Sequence, residues 1–420
     1  MTTTVDVIVL GTGSAAQSAA YPCREAGWNV AVVDYHPFGG TCQLRGCDPK
    51  KVLVGVSDLV DWSRRMQGKG VSAPGLSLSW PDLIRFKRTF TDPVPEQTKR
   101  SFEQAGIITR HGRAHFVDRT SVQVGEEILV ARQVVIATGA CHADLGIAGE
   151  DLLTTSTQFL DLEELPRRIV FVGGGYIAFE FAHIAARAGA QVQVLHRGSR
   201  PLAKFDPDLV SMLVQASREL GIEVHVNRAV TAIERQGDHL LVHARVGAQE
   251  HTVEADLVVH AAGRTPEIDK LDLEVAGVAY GKEGVSVNEY LQSVTNPAVY
   301  AAGDAVASGG FPLPWVDLVI RHPEPTYRNG RPAWLRTPDR CVVQGRIVLP
   351  ASSFIQLHLA QEGPAGTPVD QYLTKEDGAF ELLAPQGAYL LRWWSPDERV
   401  IGERPVTLHT WRCEIDLPLA

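Results

Sequence analysis

The sequence predicts an α/β protein with two units of one design, each a strand, a glycine turn and a helix, followed by an all-β segment. The first unit reads VDVIVL and then GTGSAA near the start of the chain, and the second reads IVFV and then GGGYIA after Arg168. From Arg340 onward, short runs of β-forming residues alternate with turn residues. Because 420 residues exceed what one hydrophobic core usually holds, we expect two or three domains.

The composition is typical of a globular protein and argues against several classes. Hydrophobic residues make up 45% of the chain and charged residues 21%, and the net charge of -9 without acidic runs argues against a nucleic-acid partner. Six cysteines in so long a chain are not a disulfide scaffold. No apolar run reaches the ~18 residues of a membrane span, and the N-terminus lacks the basic region of a signal peptide. We therefore expect a cytoplasmic protein without a membrane partner, and the sequence suggests no metal site.

The first unit has the features of a dinucleotide-binding turn. Gly11 permits the tight turn, Gly13 lets the backbone approach a pyrophosphate, and Ala16 permits close packing of the helix on the strand. The helix N-terminus then directs unpaired N–H groups at the phosphates. Asp34 closes the next strand about 20 residues later, where a carboxylate can accept hydrogen bonds from a ribose diol. The residues predicted to contact a cofactor here are Gly11, Gly13, Ser14, Ala15, Ala16 and Asp34.

Two cysteines follow this unit in GGTCQLRGCDPKK, which runs from Gly39 to Lys51. Residues five apart lie roughly 140° apart around an ideal helix, so bridging Cys42 and Cys47 needs a turn or a distorted first helical turn. The Gly-Gly before the pair and Gly46 inside it supply that freedom. A thiolate at a helix N-terminus near a lysine has a depressed pKa, which favours attack on a disulfide. The alternative is a pair of buried structural cysteines.

The segment after the cysteines reads as helices and short strands up to ARQVVIATGA, a strand that ends in Ala-Thr-Gly. Thr138 and Gly139 can bring the backbone close to a bound nucleotide there. In the second unit, Gly173, Gly175 and Ala178 repeat the roles assigned to the first turn.

The strand after the second glycine turn ends without a carboxylate. Its end is Leu195, His196 and Arg197, with Arg200 and Lys204 nearby. A cation at this place suits a ribose 2'-phosphate, so NADPH is predicted over NADH. The alternative is that these cations are ordinary solvated loop residues.

Two later strands also end in glycine turns. ADLVVHAAGRTP contains Gly263, after which the chain is expected to return to the first domain, and VYAAGDA ends in Asp304. A carboxylate at a strand end beside glycine can hold a nucleotide hydroxyl, and the alternative role for Asp304 is a helix N-cap.

The character of the sequence changes after Ala305. SGGFPLPW is a Gly/Pro break, and RHPEPTYRNGRPAWLRTPDR is loop-like. The runs CVVQGRIVL, SFIQLHLAQ, AFELLAP, AYLLRWW and PVTLHTWRCEIDL follow, and their spacing predicts an antiparallel sandwich.

From residue 4 to about 313 the sequence resembles the FAD-dependent pyridine nucleotide-disulfide oxidoreductases, the family of glutathione reductase, dihydrolipoamide dehydrogenase and mercuric reductase. GGTCQLRGCDPKK is similar to the redox-disulfide motif of that family, GGGYIAFE to its nicotinamide-binding motif and YAAGDA to its second flavin motif. The resemblance implies two Rossmann-like domains. We expect an FAD-binding domain at 1-147 that returns at 267-313, an NAD(P)-binding domain at 148-266, a linker at 314-339 and a β-sandwich-like domain at 340-420.

The resemblance also implies roles for individual residues. Electrons would pass from NADPH through FAD to a Cys42-Cys47 disulfide and on to a small-molecule or protein disulfide. Cys47 would be the thiol against the flavin, and Cys42 the one that attacks the acceptor. Tyr176 would cover the nicotinamide pocket, and Glu180 would pair with a lysine beside the flavin. That lysine would be Lys50 or Lys51, and the further implied cofactor contacts are Gly40, Thr41, Ile177 and Gly263.

The C-terminal part departs from the family pattern. The interface domain, which supplies the dimer contact and a His-Glu pair, is not recognisable, which leaves the homodimer doubtful. RHPEPT does not match it, so His322 and Glu324 are not assigned to catalysis. One alternative is a catalytically impaired nucleotide-binding protein whose β-domain is an interaction module. Mercuric ion reduction is a weaker option, because the C-terminus offers only Cys413 and not a cysteine pair.

Overall fold

The computed structural model describes residues 2–307 and seven strands of the C-terminal part. The chain divides into two compact units, Met1–Trp334 and Leu335–Ala420. The described α-helices of the first unit are α1 Ser14–Glu25, α2 Gly40–Arg45, α3 Cys47–Arg65, α4 Trp80–Thr91, α5 Val94–Gln104, α6 Ser156–Phe159, α7 Tyr176–Arg187 and α8 Pro207–Glu219. Among the described residues, no helix is both long enough and apolar enough to cross a membrane.

A five-stranded parallel sheet carries the first glycine turn. Its strands, in spatial order, are β20 Val299–Ala301, β8 Gln133–Ile136, β2 Val7–Leu10, β3 Val30–Asp34 and β4 Ile108–His111. The chain leaves β2 toward β3 on one side, and β8 pairs on the other, so the first glycine turn lies where the strand order reverses. Open parallel sheets bind ligands at such a point.

The residues of β2 show why this sheet is buried on both faces. Val7 and Val9 belong to one core cluster, whereas Ile8 and Leu10 belong to another. Successive side chains of a strand point to opposite faces, so an unbroken apolar run suits a parallel sheet that is covered on both sides.

A four-stranded parallel sheet carries the second glycine turn. Its order is β12 Glu223–His225, β11 Gln191–Leu195, β10 Arg168–Val172 and β16 Leu257–His260. Ile169 and Phe171 face one core cluster, and Val170 and Val172 face the other. The two predicted units are therefore confirmed as two parallel sheets with helices.

Smaller sheets complete the first unit. Four strands form one mixed sheet: β1 Thr2–Thr4, β7 Glu127–Val130, β6 Ser121–Val124 and β5 Ala114–Phe116. An antiparallel sheet that the sequence did not predict consists of β13 Ala229–Gln236, β14 His239–Val246 and β15 Gln249–Ala255. Two short pairs are β9 Ala140–His142 with β17 Arg264–Pro266, and β18 Tyr280–Gly281 with β19 Gly284–Val285.

The described strands of the second unit form two sheets, which confirms its all-β character. One contains β24 Ala379–Pro385, β21 Arg340–Ile347 and β27 Arg412–Leu417; the other contains β23 Asp370–Leu373, β22 Phe354–Leu359, β25 Gly387–Trp394 and β26 Val400–Leu408.

Three details of the second unit differ from the prediction. The run PVTLHTWRCEIDL is divided between two strands, Asp370–Leu373 was not predicted, and β21 pairs with β27 in parallel. The predicted Gly/Pro break SGGFPLPW and the loop-like segment with RHPEPT lie outside the described residues.

Candidate functional site

The first glycine turn is held at backbone contact with two neighbours. Gly11 has φ +112°, and a Cβ on it would lie 2.3 Å from the Ala137 carbonyl oxygen. Gly40 has φ +73°, and a Cβ on it would lie 2.3 Å from the Gly13 Cα. Only glycine adopts such conformations without strain and leaves room for this approach. The N-terminus of α1 and the start of α2 therefore meet at the turn.

Asp34 is fixed beside this turn by short hydrogen bonds. The Thr12 hydroxyl donates to Asp34 Oδ2 at 2.7 Å and accepts from the Gly39 N–H at 3.1 Å. The His36 N–H donates to Asp34 Oδ1 at 2.9 Å. The carboxylate is thus oriented at the end of β3, where its remaining lone pairs can accept from a ribose diol.

Three further predicted residues lie around the same crevice. The Thr138 hydroxyl is buried, and no hydrogen-bond partner is found for it within the described chain. Such a buried polar group is costly unless something satisfies it. A Cβ on Gly303 would lie 3.0 Å from the Ala15 Cβ, so exposed Asp304 lies at the start of α1. A glycine-lined crevice with an unsatisfied hydroxyl and carboxylates at strand ends fits a dinucleotide such as FAD.

The two cysteines lie on either side of a helix break. α2 ends at Arg45, Gly46 has φ -145° and ψ -109°, and α3 begins at Cys47. This is the distorted turn that the five-residue spacing predicted. Both thiols are free, and Cys47 is close enough to act on the pKa of the Cys42 thiol.

The thiol of Cys42 does not have the depressed pKa expected from a helix start and a nearby lysine. Burial, followed by the hydrogen bond and the charge of Cys47, raises the pKa of Cys42 to about 12. The sequence argument considered the lysine and the helix, but not the desolvation of the thiol or its neighbouring sulfur. Cys42 is therefore protonated near neutral pH.

One lysine after the cysteines contacts the helix that follows the second glycine turn. Lys50 Nζ lies 2.6 Å from Glu180 Oε1, whereas Lys51 is exposed. Lys50 is on the first turn of α3, and Glu180 is on the second turn of α7. The structure thus brings Lys50, and not Lys51, to Glu180.

Tyr176 lies at the second glycine turn and close to Cys47. It is the first residue of α7 and is 49% exposed. The charges of Arg264, Asp304 and Cys47 act on its hydroxyl, so these groups surround one place. The cysteines, the return strand and the second glycine turn converge there.

The second glycine turn has the close approaches of the first. Gly173 has φ +118°, and a Cβ on it would lie 2.2 Å from the Ala261 carbonyl oxygen. Gly175 is the N-cap of α7, and Ile177 is half-buried behind it. Arg197 is exposed past the end of β11, while the Arg200 guanidinium donates back to the Ala203 carbonyl at 2.7 Å. Within the described residues, neither a hydrogen bond nor an ion pair is found for the Arg197 guanidinium.

A polar cluster that the sequence did not reveal lies beyond Asp34. The Tyr35 hydroxyl donates to Glu267, and His36 Nε2 lies 3.8 Å from the same carboxylate. Burial, followed by the hydrogen bond to Glu267, raises the pKa of Tyr35 to about 12. The Arg113 guanidinium lies 3.8 Å from the centre of the Tyr35 ring. The only local signal was a basic and an acidic residue after Gly263 in GRTPE.

The chain crosses between the two sheets at the antiparallel pair β9 and β17, where His142 opposes Arg264. Gly263, with φ +126°, makes the turn before β17. Burial, followed by the charges of Arg264 and His260, lowers the pKa of His142 to about 4. Its Nε2 lies 3.1 Å from the Ser156 hydroxyl. His142 is therefore a neutral group near pH 7.

Several predicted site residues thus lie close together, namely Cys47, Tyr176, Glu180 and Asp304. Among the described residues, no group of three or more His, Cys, Asp or Glu side chains is arranged to hold a metal ion.

Comparison with known proteins identifies relatives of the first unit. The family model described as pyridine nucleotide-disulphide oxidoreductase matches residues 5–328. A glutathione reductase of Burkholderia cepacia is 36% identical over 300 residues, which are 71% of this chain and 66% of that protein. A mercuric reductase of Staphylococcus aureus is 32% identical over 313 residues, 73% of this chain and 56% of that protein. A dihydrolipoyl dehydrogenase of Bacillus subtilis is 31% identical over 314 residues, 73% of this chain and 67% of that protein.

These matches span only part of the relatives. The aligned share of their length runs from 49% in a Bacillus cereus mercuric reductase to 68% in a Nostoc glutathione reductase. Among solved structures, a Cu(II) complex of the HOCl-induced flavoprotein disulfide reductase RclA from Escherichia coli matches with a TM-score of 0.68 and 21% identity. It covers 97% of this chain and 90% of that one, and at this identity the likeness concerns the fold.

Proposed function

The chain belongs to the pyridine nucleotide-disulphide oxidoreductase family, and from that premise we propose that it is an NADPH-dependent flavoprotein disulfide reductase. Bound FAD would carry electrons from NADPH to the Cys42-Cys47 pair, which would pass them to a disulfide or thiol-linked acceptor. The observation that carries this proposal is the 2.6 Å contact between Lys50 and Glu180. It joins the helix that begins at Cys47 to the helix that begins at the second glycine turn, so the thiols lie where the two nucleotide units meet.

The residues around the first turn would hold FAD. Gly11, Gly13 and Gly40 leave room for the pyrophosphate at the N-terminus of α1, where helix N–H groups favour an anion. Asp34 would accept from the ribose, and Thr138 would gain the partner that it lacks within the described chain. Bound FAD would supply the two-electron carrier between nicotinamide and sulfur.

The domain limits are part of the proposal, and the strand order supports them. β20 pairs with β8 in the first sheet, which supports a return of the chain to the FAD-binding domain at 267-313 after an NAD(P)-binding domain at 148-266. β16 pairs with β10 and supports placing that strand in the second domain.

The thiol chemistry is a sequence of two exchanges. Two electrons and a proton open the Cys42-Cys47 bond and leave a Cys42 thiol beside a Cys47 thiolate. The Cys42 proton passes to Cys47 as the Cys42 sulfur attacks the acceptor RSSR, forming a mixed disulfide and releasing RS⁻. RS⁻ takes the proton from Cys47, and the Cys47 thiolate then attacks Cys42 of the mixed disulfide. The Cys42-Cys47 bond re-forms, and the second RS⁻ leaves and is protonated by water.

The raised pKa of Cys42 makes this proton transfer necessary. A thiol with a pKa of about 12 is not a nucleophile until its proton is removed. Cys47 is close enough to act on this pKa, so it is placed to receive the proton.

The choice of NADPH rests on Arg197 at the end of β11. An exposed guanidinium past this strand can form charge-assisted hydrogen bonds to a ribose 2'-phosphate. We expect kcat/KM for NADPH to exceed that for NADH, and Arg197→Ala to reduce this ratio at least ~10-fold, about 1.4 kcal/mol. Arg235→Ala removes an equal charge from an exposed site in β13 and should leave the ratio unchanged. A preference for NADH, or an unchanged ratio in Arg197→Ala, would contradict the assignment.

An absorbance experiment tests the proposed function as a whole. The purified protein should have a flavin spectrum that NADPH bleaches without oxygen, with a long-wavelength thiolate-to-flavin band. Cys47→Ser should abolish that band and retain the flavin, and small disulfides should be reduced in the steady state by the wild type alone. A yellow protein without turnover on any small disulfide would instead support a nucleotide-binding scaffold.

A further inference from the structure

We propose that Arg45 binds the pyrophosphate of FAD and supplies the positive charge of that site. The inference rests on the proposed FAD binding and adds a residue to it. Arg45 was not among the predicted site residues, because a single arginine between two cysteines carries no local signal of a phosphate contact.

The position of Arg45 in the fold brings it to the first glycine turn. It is the last residue of α2, which starts at Gly40 in contact with Gly13. At 1.5 Å per residue, the six-residue helix is only about 9 Å long. The charges of Asp34 and Glu267 act on its guanidinium, so that group lies toward the crevice that Asp34 borders.

The two carboxylates whose charges act on Arg45 accept hydrogen bonds from other groups. Asp34 accepts from Thr12 and from the His36 N–H, and Glu267 accepts from Tyr35. Within the ranges that the structure describes, neither a hydrogen bond nor an ion pair is found for the Arg45 guanidinium. A guanidinium has five N–H donors in a fixed fork, and none of those of Arg45 is paired with an acceptor within the described residues.

A bound anion would give these donors the acceptors that the described chain does not provide. Arg45 is partly buried, and burial lowers its pKa, which the charges of Asp34 and Glu267 only partly offset. Removing a charge from water costs free energy that paired hydrogen bonds must recover. A phosphate accepts two parallel N–H bonds from one guanidinium and therefore suits this fork.

The charge of the ligand supports the same assignment. A pyrophosphate in FAD carries two negative charges, whereas the N-terminus of a helix offers the equivalent of about half a positive charge. Asp34 and Asp304, at the ends of β3 and β20, make the surroundings more negative. A cation near the first glycine turn would offset these charges, and Arg45 ends the short helix that starts at this turn.

The test compares ligands that do and do not carry phosphate. ADP and adenosine are titrated against the FAD-loaded full chain, and displacement is followed by the fluorescence of released FAD. We expect Arg45→Gln to raise the Kd of FAD about 10- to 100-fold and the Kd of ADP by a similar factor. The Kd of adenosine should not change. The dependence of log Kd on log salt should become shallower for FAD. The Kd of FAD in Arg45→Lys should lie between those of the wild type and Arg45→Gln, because an ammonium keeps the charge but cannot form the two parallel hydrogen bonds of a guanidinium.

The control is Arg100→Gln, which removes an equal charge from a guanidinium on α5 whose side chain is 63% exposed. Three results would overturn the role of Arg45. The first is an FAD affinity of Arg45→Gln equal to that of the control. The second is equal weakening of adenosine and ADP binding, and the third is weaker FAD binding with unchanged ADP binding. The second result would indicate a structural role, and the third a contact with the flavin. If Arg45→Gln does not fold, Arg45→Lys carries the same comparison. A wild type that binds no FAD would refute the proposed function itself, which is a separate outcome.

Discussion

Lys50 Nζ lies 2.6 Å from Glu180 Oε1, and this contact links the first turn of α3 to α7. A second link lies further along the same helices, where Arg187 Nη1 is 2.9 Å from Asp58 Oδ1. Two ion pairs about two helical turns apart fix the rotation of α3 against α7. The cysteine at the start of α3 is thereby held in a set position relative to the second glycine turn.

A double-mutant cycle tests the Lys50–Glu180 contact. The pair is partly exposed, with side chains 21% and 38% accessible, so we expect a coupling energy of only about 1 kcal/mol. Urea unfolding of Lys50→Gln, Glu180→Gln and the double variant measures it. Lys51→Gln, on the exposed neighbour, should change stability by less than about 0.5 kcal/mol. Strictly additive effects of the two single variants would contradict the contact.

The close approach of Gly40 to Gly13 predicts a specific loss in Gly40→Ala. Both Gly40, with φ +73°, and Gly27, with φ +87°, would be strained by a side chain, which costs about 1 kcal/mol. Only at Gly40 would the new Cβ also meet backbone, 2.3 Å from the Gly13 Cα, since nothing lies within 4 Å at Gly27. Gly40→Ala should therefore weaken FAD binding at least ~10-fold, while Gly27→Ala retains it. Flavin fluorescence measures FAD binding in both variants. Equal FAD affinity in the two would refute the assignment of Gly40 to the FAD site.

The pKa of Cys42 predicts how its alkylation responds to a change at Cys47. With a pKa of about 12, only on the order of one in ten thousand Cys42 groups is a thiolate at pH 8. Cys47→Ala removes a hydrogen bond and a charge that both raise this pKa, and burial remains. Iodoacetamide labelling of Cys42 at pH 8, followed by mass mapping, should become at least ~10-fold faster. Buried Cys23 is the internal reference, and an unchanged Cys42 rate would contradict the assigned cause.

The depressed pKa of His142 predicts a loss of stability in acid. Its folded pKa of about 4 lies below the ordinary 6.5, so the unfolded state binds more protons between these values. Stability therefore falls as pH drops from 6.5 toward 4. Between pH 7 and pH 5, the free energy of unfolding should fall by about 1 to 2 kcal/mol less in His142→Asn than in the wild type. Denaturant unfolding at the two pH values measures this. Parallel losses in the two proteins would rule out His142 as the source.

Local features of the sequence were enough to predict the glycine turns and the helix break. Gly11 and Gly173 follow apolar strands directly, and the spacing of Cys42 and Cys47 required a distortion that Gly46 provides. These features depend on neighbours in the chain. A sequence shows such neighbours directly.

Features that depend on tertiary contacts could not be predicted. Lys50 and Lys51 differ by about 100° around α3, so only the packing of α3 on α7 decides which one meets Glu180. Tyr35 meets Glu267 through strand order, although the two are distant in sequence. The raised pKa of Cys42 reflects burial, which the lysine and helix argument did not include. The division of PVTLHTWRCEIDL into two strands likewise depends on which strands they pair with.

The central claim is that Cys42 and Cys47 receive electrons from the bound flavin. Mass mapping of these two positions, after alkylation of the full chain before and after anaerobic addition of NADPH, tests it most directly. The account predicts a Cys42-Cys47 disulfide in the oxidised protein and two alkylated thiols after NADPH, with Cys23 unchanged. Thiols that are free before NADPH under oxidising conditions, or a bond that NADPH leaves intact, would contradict it.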